Sequence, residues 1–353
     1  MKISLNCKLD PQGAYGFIKP IADISNKLYI DVFRDTVALP YKNVKYHNSI
    51  NKKNGIISQL SKFIKMLFVV TKNYQLAIGI YEIPHGLLAF LVGKLKRVPV
   101  VISIIGNPAN EKLRKGFRKT TTHFMYKRIH AITVTGSKSK LFLIQSGINS
   151  ERIFILPNSI DINEFKQHNI AKKEYDIISL GRMSPEKELI NFVKVIEKIK
   201  LVKPNIKVAI AGKGPEEEKV KLIIEELNLK DNISMLGYVE DIAEFYNKSK
   251  VFLLTSRTEG LPRTILEAMS CGIPCVASNV GDMEDLIDDK INSFLIDDYR
   301  NLDEYVKKVL LLLDDKELYK RISEEAQIKV KINYSYEAAT KVWEDIIKQT
   351  EII

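Results

Sequence analysis

Val251-Phe252-Leu253-Leu254-Thr255-Ser256-Arg257-Thr258-Glu259-Gly260-Leu261-Pro262-Arg263-Thr264-Ile265-Leu266-Glu267 is the stretch on which the reading of this chain turns. An apolar, β-favouring run ends in small hydroxylated residues, and Gly260 and Pro262 then supply a turn and a first helical turn. The pattern predicts a strand over Val251–Leu254, a tight loop, and a helix that begins near Pro262 and carries Glu267 inside it. Strand, loop and helix in that order form the repeating unit of a doubly wound sheet, which presents ligands to the loops at the carboxyl ends of its strands. Glu259 stands just ahead of the helix. The path from Glu259 to Glu267 is about 12 Å when taken at 1.5 Å per helical residue, a reach that matches opposite ends of one nucleotide-sugar.

Upstream, the strand Asp176–Leu180 runs into Gly181-Arg182-Met183-Ser184-Pro185-Glu186-Lys187 and then into a helix over Glu188–Lys200. Arg182 offers a planar fork and Lys187 a compact charge, a pair suited to a diphosphate. Further strands are predicted at Lys207–Ala211, Ile233–Leu236, Pro274–Ala277 and Ser293–Ile296, and a separate set at Lys2–Asn6, Leu76–Tyr81, Pro99–Ile104, Ala131–Thr135 and Ile153–Leu156. Strands alternating with helical segments argue for parallel sheets. The polar stretch Asn163–Glu174 reads as the linker, which gives domains 1–165 and 170–333. Residues 334–353 read as a closing helix capped by Ser335, with Ala338, Ala339, Val342, Trp343 and Ile346 at helical spacing, expected to pack back on the first domain.

A chain of 353 residues with 45% apolar residues exceeds one ordinary core. No apolar run approaches the roughly 18 residues of a bilayer span; the longest candidate, Ile83–Val92, is broken by Pro84, His85 and Gly86. The start Met1-Lys2-Ile3-Ser4-Leu5-Asn6 lacks secretory character, so the expected compartment is the cytosol. Cys7, Cys271 and Cys275 read as buried thiols, with the last two able to share a helix face. The net charge of +11 is uneven: residues 1–168 hold 26 Lys+Arg and 9 Asp+Glu, the remainder 28 and 34. Lys112, Arg114, Lys115, Arg118, Lys119, Lys127 and Arg128, interleaved with Phe117, Phe124, Met125 and Tyr126, suit an anionic membrane surface at the inner face of the cell membrane. No nucleic-acid module is recognised, and no G-x-G-x-x-G opens a nicotinamide-binding helix.

Glu259-Gly260-Leu261-Pro262 followed by Glu267-Ala268-Met269-Ser270-Cys271-Gly272-Ile273-Pro274 resembles the paired-glutamate signature of retaining glycosyltransferases of family 4, which have the GT-B fold. Gly181–Lys187 is similar to that family's diphosphate segment, and Gly212-Lys213-Gly214-Pro215, Leu236-Gly237-Tyr238 and Pro157-Asn158-Ser159-Ile160-Asp161 with Phe165 match further positions in order. The resemblance implies an α/β chain of two Rossmann-like domains facing across a cleft. It also implies that Arg182 and Lys187 neutralise the donor diphosphate, that Glu259 contacts the transferred sugar, and that Glu267 accepts from the ribose hydroxyls. Amides of Gly260 and Leu261 would support the diphosphate, Gly237 and Tyr238 would line the base pocket, and Gly13 would occupy the first loop between donor and acceptor. Ile105 stands where many members carry a histidine; His85, after the preceding strand, reads either as a structural loop histidine or as a partial substitute. Gly281-Asp282-Met283-Glu284-Asp285 replaces a commoner double-glycine turn that ends in an acid.

The expectation is a retaining hexosyltransferase using a nucleoside-diphosphate sugar as donor substrate, with no other cofactor and no metal. Its acceptor is a glycan or lipid-linked molecule of the cell envelope, and nucleic acid is not a partner. The alternatives are a nucleotide-sugar epimerase or phosphorylase of the same fold, and a non-catalytic protein that binds a membrane or a partner through the basic first half.

Overall fold

Among the described residues every strand pairing is parallel, as short apolar strands joined by helical crossovers require. The computed structural model describes residues 1–9, 11–34, 40–48, 55–109, 116–168 and 173–351, which leaves Lys112, Arg114 and Lys115 of the basic cluster outside the described residues. The chain divides into two units, Met1–Ser159 with Tyr336–Ile353, and Ile160–Ser335.

The first unit holds β1 (Lys2–Asn6), α1 (Pro11–Ala22), β2 (Tyr29–Arg34), β3 (Val44–Asn48), α2 (Gly55–Val69), β4 (Leu76–Ile80), α3 (Leu87–Lys96), β5 (Val100–Ser103), α4 (Gly116–Tyr126), β6 (Ala131–Val134), α5 (Ser137–Gln145) and β7 (Ile153–Ile155). Its strands lie in the order β3-β2-β1-β4-β5-β6-β7. β2 and β3 lie outside the expected strands. Asp31 interrupts the apolar run of β2, and β3, at the sheet edge, has no fully buried residue, so neither carries a strong apolar signal. Met66, Phe90, Met125 and Leu143 of α2 to α5 share one core, while Ala14 and Ile18 of α1 share another with Trp343 and Ile346.

The second unit runs β8 (Tyr175–Leu180), α6 (Leu189–Val202), β9 (Val208–Ala211), α7 (Glu217–Glu226), β10 (Ile233–Gly237), α8 (Ile242–Asn247), β11 (Ser249–Leu254), α9 (Arg263–Ser270), β12 (Cys275–Ser278), α10 (Met283–Leu286), β13 (Phe294–Ile296), α11 (Leu302–Asp314) and α12 (Lys316–Asn333). The strand order β10-β9-β8-β11-β12-β13 reverses between β8 and β11, the switch point at which doubly wound sheets open a crevice. α13 (Tyr336–Glu351) returns to the first unit. There Trp343 is buried edge-on against Phe17 at 5.5 Å, and Thr340 Oγ1 donates to the carbonyl of Pro20 at 3.0 Å.

The stretch read as a linker departs from that expectation over residues 163–168. Phe165 is buried in the second unit's core, the His168 amide donates to Asn247 Oδ1 at 2.7 Å, and Asn247 Nδ2 donates to the Lys166 carbonyl at 2.9 Å. Polar side chains hid a segment anchored by one aromatic residue. Cys271 and Cys275 do not share a helix: Cys271 ends α9 and Cys275 opens β12, because Gly272 and Pro274 intervene. All three cysteines are buried thiols outside any disulfide. Among the described residues, no helix is long and apolar enough to cross a membrane.

Candidate active site

The loops after β8 and β11 meet because their strands are neighbours at the switch point. Gly181 ends β8 at φ +148, and its amide donates to the Ala211 carbonyl at 3.0 Å. Gly212, after β9, holds φ +119, and a Cβ there would stand 1.9 Å from the Gly181 carbonyl oxygen. Only glycine lets the two loops lie this close. The glycines therefore set the height of the Arg182 backbone above the sheet.

Four contacts then staple the 184–188 turn to the loop after β11. Thr255 Oγ1 donates to the carbonyls of Lys187 at 3.2 Å and Glu188 at 3.1 Å. The Arg257 amide donates to the Glu186 carbonyl at 2.8 Å, and Arg257 Nη1 lies 3.4 Å from Glu188 Oε1. So held, Lys187 Nζ reaches Glu259 Oε1 at 2.6 Å, with the two side chains only 18% and 12% exposed. Ser256 Oγ donates to the same carboxylate oxygen at 2.7 Å, while Ser278 Oγ of β12 donates to the Ser256 carbonyl at 2.6 Å. Glu259 is thus an oriented acceptor rather than a solvated acid. The Asp282 amide donates to the Gly260 carbonyl at 2.9 Å, so the 281–285 turn closes on the Glu259-Gly260 backbone.

Arg182 and Lys187 line one small cavity with Gly181, Leu189 and Leu254. Arg182 is exposed, and its guanidinium has no side-chain partner among the described residues. Burial pushes the neighbouring Glu186 carboxyl upward, but the Ser184 hydroxyl at 2.7 Å, a backbone amide and the charges of Arg182 and Lys187 outweigh it and hold that carboxyl below its ordinary value. Glu186 thereby stays anionic beneath the two cations.

Glu267 sits one turn inside α9, as its spacing from Pro262 requires, and is 8% exposed. It does not join the Lys187–Glu259 pair directly. Tyr246 Oη of α8 donates to Glu267 Oε2 at 3.1 Å, and Arg263, one turn earlier on α9, places Nη2 3.6 Å from Oε1. Burial, then the charge of Glu267, raises the Tyr246 hydroxyl far above its usual range, so it remains a donor. The same two causes push the Cys271 thiol up to about 12 and make it unreactive.

Gly260 and Leu261 lead from Glu259 into the N-cap Pro262 of α9. Gly237, at φ +66, ends β10 and accepts from the Gly212 amide through its carbonyl; Tyr238 follows it, 76% exposed. Gly13, expected in the first loop, is instead the third residue of α1 in the first unit, because Pro11 starts the helix immediately after the strand-end loop. His85 is buried in the turn Glu82–Gly86, where its carbonyl accepts from Asn6 Nδ2 at 3.1 Å. Among the described residues, no cluster of three or more His, Cys, Asp or Glu is arranged for a metal ion. Thr255, Ser256 and Tyr246 had no role assigned from sequence. The first two follow a strand whose place beside β8 is a tertiary fact, and Tyr246 reads in sequence as core; only the four-residue spacing of Arg263 and Glu267 was visible.

Residues 161–329 match the model of the family described as glycosyl transferases group 1. An uncharacterised glycosyltransferase of Haemophilus influenzae is 28% identical over 61% of this chain and 60% of its own length, so the match leaves much of that relative unaligned. The N-acetyl-alpha-D-glucosaminyl L-malate synthase of Bacillus anthracis is 24% identical over 88% of this chain and 87% of its own. Among solved structures, that of Anabaena HepE in complex with UDP and glucose superposes with a TM-score of 0.83 at 18% identity, covering 99% of both chains. Sucrose-phosphate synthase of Thermosynechococcus elongatus gives 0.82 at 16% identity over 100% and 99%. The fold is GT-B, and it is within the second unit that the chain is similar to the glycosyl transferases group 1 model.

Proposed function

We propose that this chain, a GT-B protein whose residues 161–329 are similar to the glycosyl transferases group 1 model, transfers a hexose-like sugar from a nucleoside-diphosphate donor with retention of configuration. The observation that carries the reading is the pairing of Lys187 with Glu259 at 2.6 Å beside the unpaired guanidinium of Arg182, at the switch point of the second sheet. In the donor complex Arg182 and Lys187 hold the diphosphate and offset the charge that builds on it as the sugar bond breaks. Glu259, oriented by Ser256, takes hydroxyls of the transferred sugar. Glu267, fixed by Tyr246 and Arg263, accepts from the ribose. Gly260 and Leu261 at the start of α9 support the phosphates, and Gly237 and Tyr238 border the base.

A lipid-linked or cell-envelope acceptor fits the names of two relatives. One is a UDP-Gal:alpha-D-GlcNAc-diphosphoundecaprenol alpha-1,3-galactosyltransferase of Escherichia coli, 23% identical over 75% of this chain; the other is a diphospho-undecaprenol 4-alpha-N-acetylgalactosaminyltransferase of Campylobacter jejuni, 24% identical over 88%. The protein then works in the cytoplasm, on the inner face of the membrane.

The test is a thermal-shift screen of nucleoside diphosphates and their sugars, followed by incubation of purified protein with labelled donor. Stabilisation by a nucleoside diphosphate, lost in Arg182→Ala, is expected. Conversion of the donor sugar to its epimer without acceptor would replace transfer by epimerisation. No response to any nucleotide would remove the enzymatic reading.

A further inference from the structure

We propose that the outer surface of the α2 to α5 layer is a docking face for an anionic lipid bilayer, with the exposed side of α2 entering the interface. It deepens the lipid-linked acceptor reading above by assigning the surface at which such an acceptor is met, and it stands on separate observations.

The first is that α2 leaves a second apolar side uncovered. Ile56, Leu60, Ile64 and Phe68, spaced four apart along one side of the helix, are 82%, 56%, 44% and 84% exposed. The opposite side buries Met66 and packs Phe63, Leu67 and Val69 against the core, with Ser58, Ser61 and Lys62 also buried. A helix lying on a protein core in water ordinarily keeps its other side polar. Four large apolar side chains in one row call for an apolar phase.

The second observation is the charge of the layer. Among the described residues of 55–145 there are 12 Lys and Arg, of which Lys62 is buried, against one carboxylate, Glu82. Glu82 is 2% exposed, and Glu111, Lys112, Arg114 and Lys115 lie outside the described residues. On α4, Phe117 and Phe124 are exposed beside Arg118, Lys119 and Arg128, and the Arg128 guanidinium lies 3.8 Å from the Phe124 ring centroid. Phe124 meets Phe90 of α3 edge-on at 6.1 Å, which joins the two helices into one surface. The other face of the same sheet carries α1 and α13 with Asp23, Glu337, Glu344 and Asp345. Among the described residues, exposed acids are therefore kept off one face rather than off the unit.

Charge selects the occupant. A second copy would set one cationic face against another, and a nucleic acid would leave the α2 row without an apolar partner. Anionic headgroups over acyl chains satisfy both features at once, the basic residues drawing the surface and the α2 row entering below it.

The experiment is co-sedimentation of the full chain with phosphatidylcholine vesicles, with or without phosphatidylglycerol. Partitioning at least tenfold stronger on the anionic vesicles, weakened by added salt, is expected. The double variant Leu60→Gln/Phe68→Gln, which changes only exposed side chains, should reduce it at least tenfold. Lys119→Ala/Arg128→Ala should abolish the preference for anionic over neutral vesicles. Binding that is equal on both vesicle types, or unmoved by the α2 variant, overturns the assignment. So does a lipid-free dimer dissolved by the α2 variant, or a tight oligonucleotide complex that the α2 variant leaves intact. Thermal shift by nucleoside diphosphates, read on the same variants, should be unchanged; its loss in the wild-type protein counts against the transferase, not against this surface.

Discussion

Replacing Glu259 by glutamine separates two consequences of the Lys187–Glu259 contact. At 2.6 Å the gross attraction is about 6 kcal/mol for an effective dielectric near 20. Both side chains are largely withdrawn from water, and their desolvation cancels most of that, leaving a net coupling of about 1–3 kcal/mol in a double-mutant cycle. In the free protein Glu259 therefore competes with the donor diphosphate for Lys187. Glu259→Gln removes the competitor and should tighten a bare nucleoside diphosphate by about tenfold, the equivalent of 1.4 kcal/mol. The same change removes an oriented acceptor for sugar hydroxyls and should lower kcat. Lys187→Ala should do the opposite to binding, weakening the diphosphate, and reduce kcat/KM at least about a hundredfold, the scale of one electrostatic donor at a developing anion. The assays are calorimetric titration of the nucleoside diphosphate and steady-state transfer from labelled donor, with Lys187→Ala/Glu259→Gln closing the cycle. Weaker diphosphate binding by Glu259→Gln, or near-normal kcat/KM in Lys187→Ala, would refute the reasoning.

Gly212→Ala forces a Cβ to 1.9 Å from the Gly181 carbonyl at φ +119. It should cost about 3 kcal/mol or more, seen as a Tm fall of about 6–12 °C for the second unit, and unchanged melting would show that the two loops part easily. Trp343 is the single tryptophan and is 1% exposed. Trp343→Ala should destabilise the first unit by about 3–5 kcal/mol in urea, and a loss under 1 kcal/mol would mean that α13 does not hold it. Burial raises the Glu82 carboxyl, against a smaller lowering by the Tyr126 hydroxyl at 2.8 Å. The folded state then binds the proton more tightly than the unfolded chain, so this group's contribution to stability is largest below the ordinary carboxylate range and declines as pH rises through the elevated folded value. Glu82→Gln should accordingly stabilise the protein at pH 8 and make little difference at pH 4, and the reverse order in denaturation curves would contradict the sign.

The pattern of short apolar strands and helical segments made the parallel sheets legible, because a buried strand must be apolar on both faces. β2 and β3 escaped, one interrupted by Asp31 and the other only half-buried at the sheet edge. The motifs carrying Arg182, Lys187, Glu259 and Glu267 were likewise legible, since loop glycines, a proline at a helix start and clustered charges are local features. Partnership was not. Lys187 and Glu259 are 72 residues apart, and their contact exists because β8 and β11 are adjacent at the point where the strand order reverses. Glu267, grouped with them by spacing, turns to Tyr246 and Arg263 because its position on α9 points it at α8. The α2 row reads as an ordinary apolar stripe until its exposure is seen. Sequence by itself determined which residues turn, bury and carry charge, for those are properties of each side chain and its neighbours along the chain. Which charges meet, and which apolar faces stay uncovered, was decided only by the tertiary structure, because both depend on the order in which strands assemble.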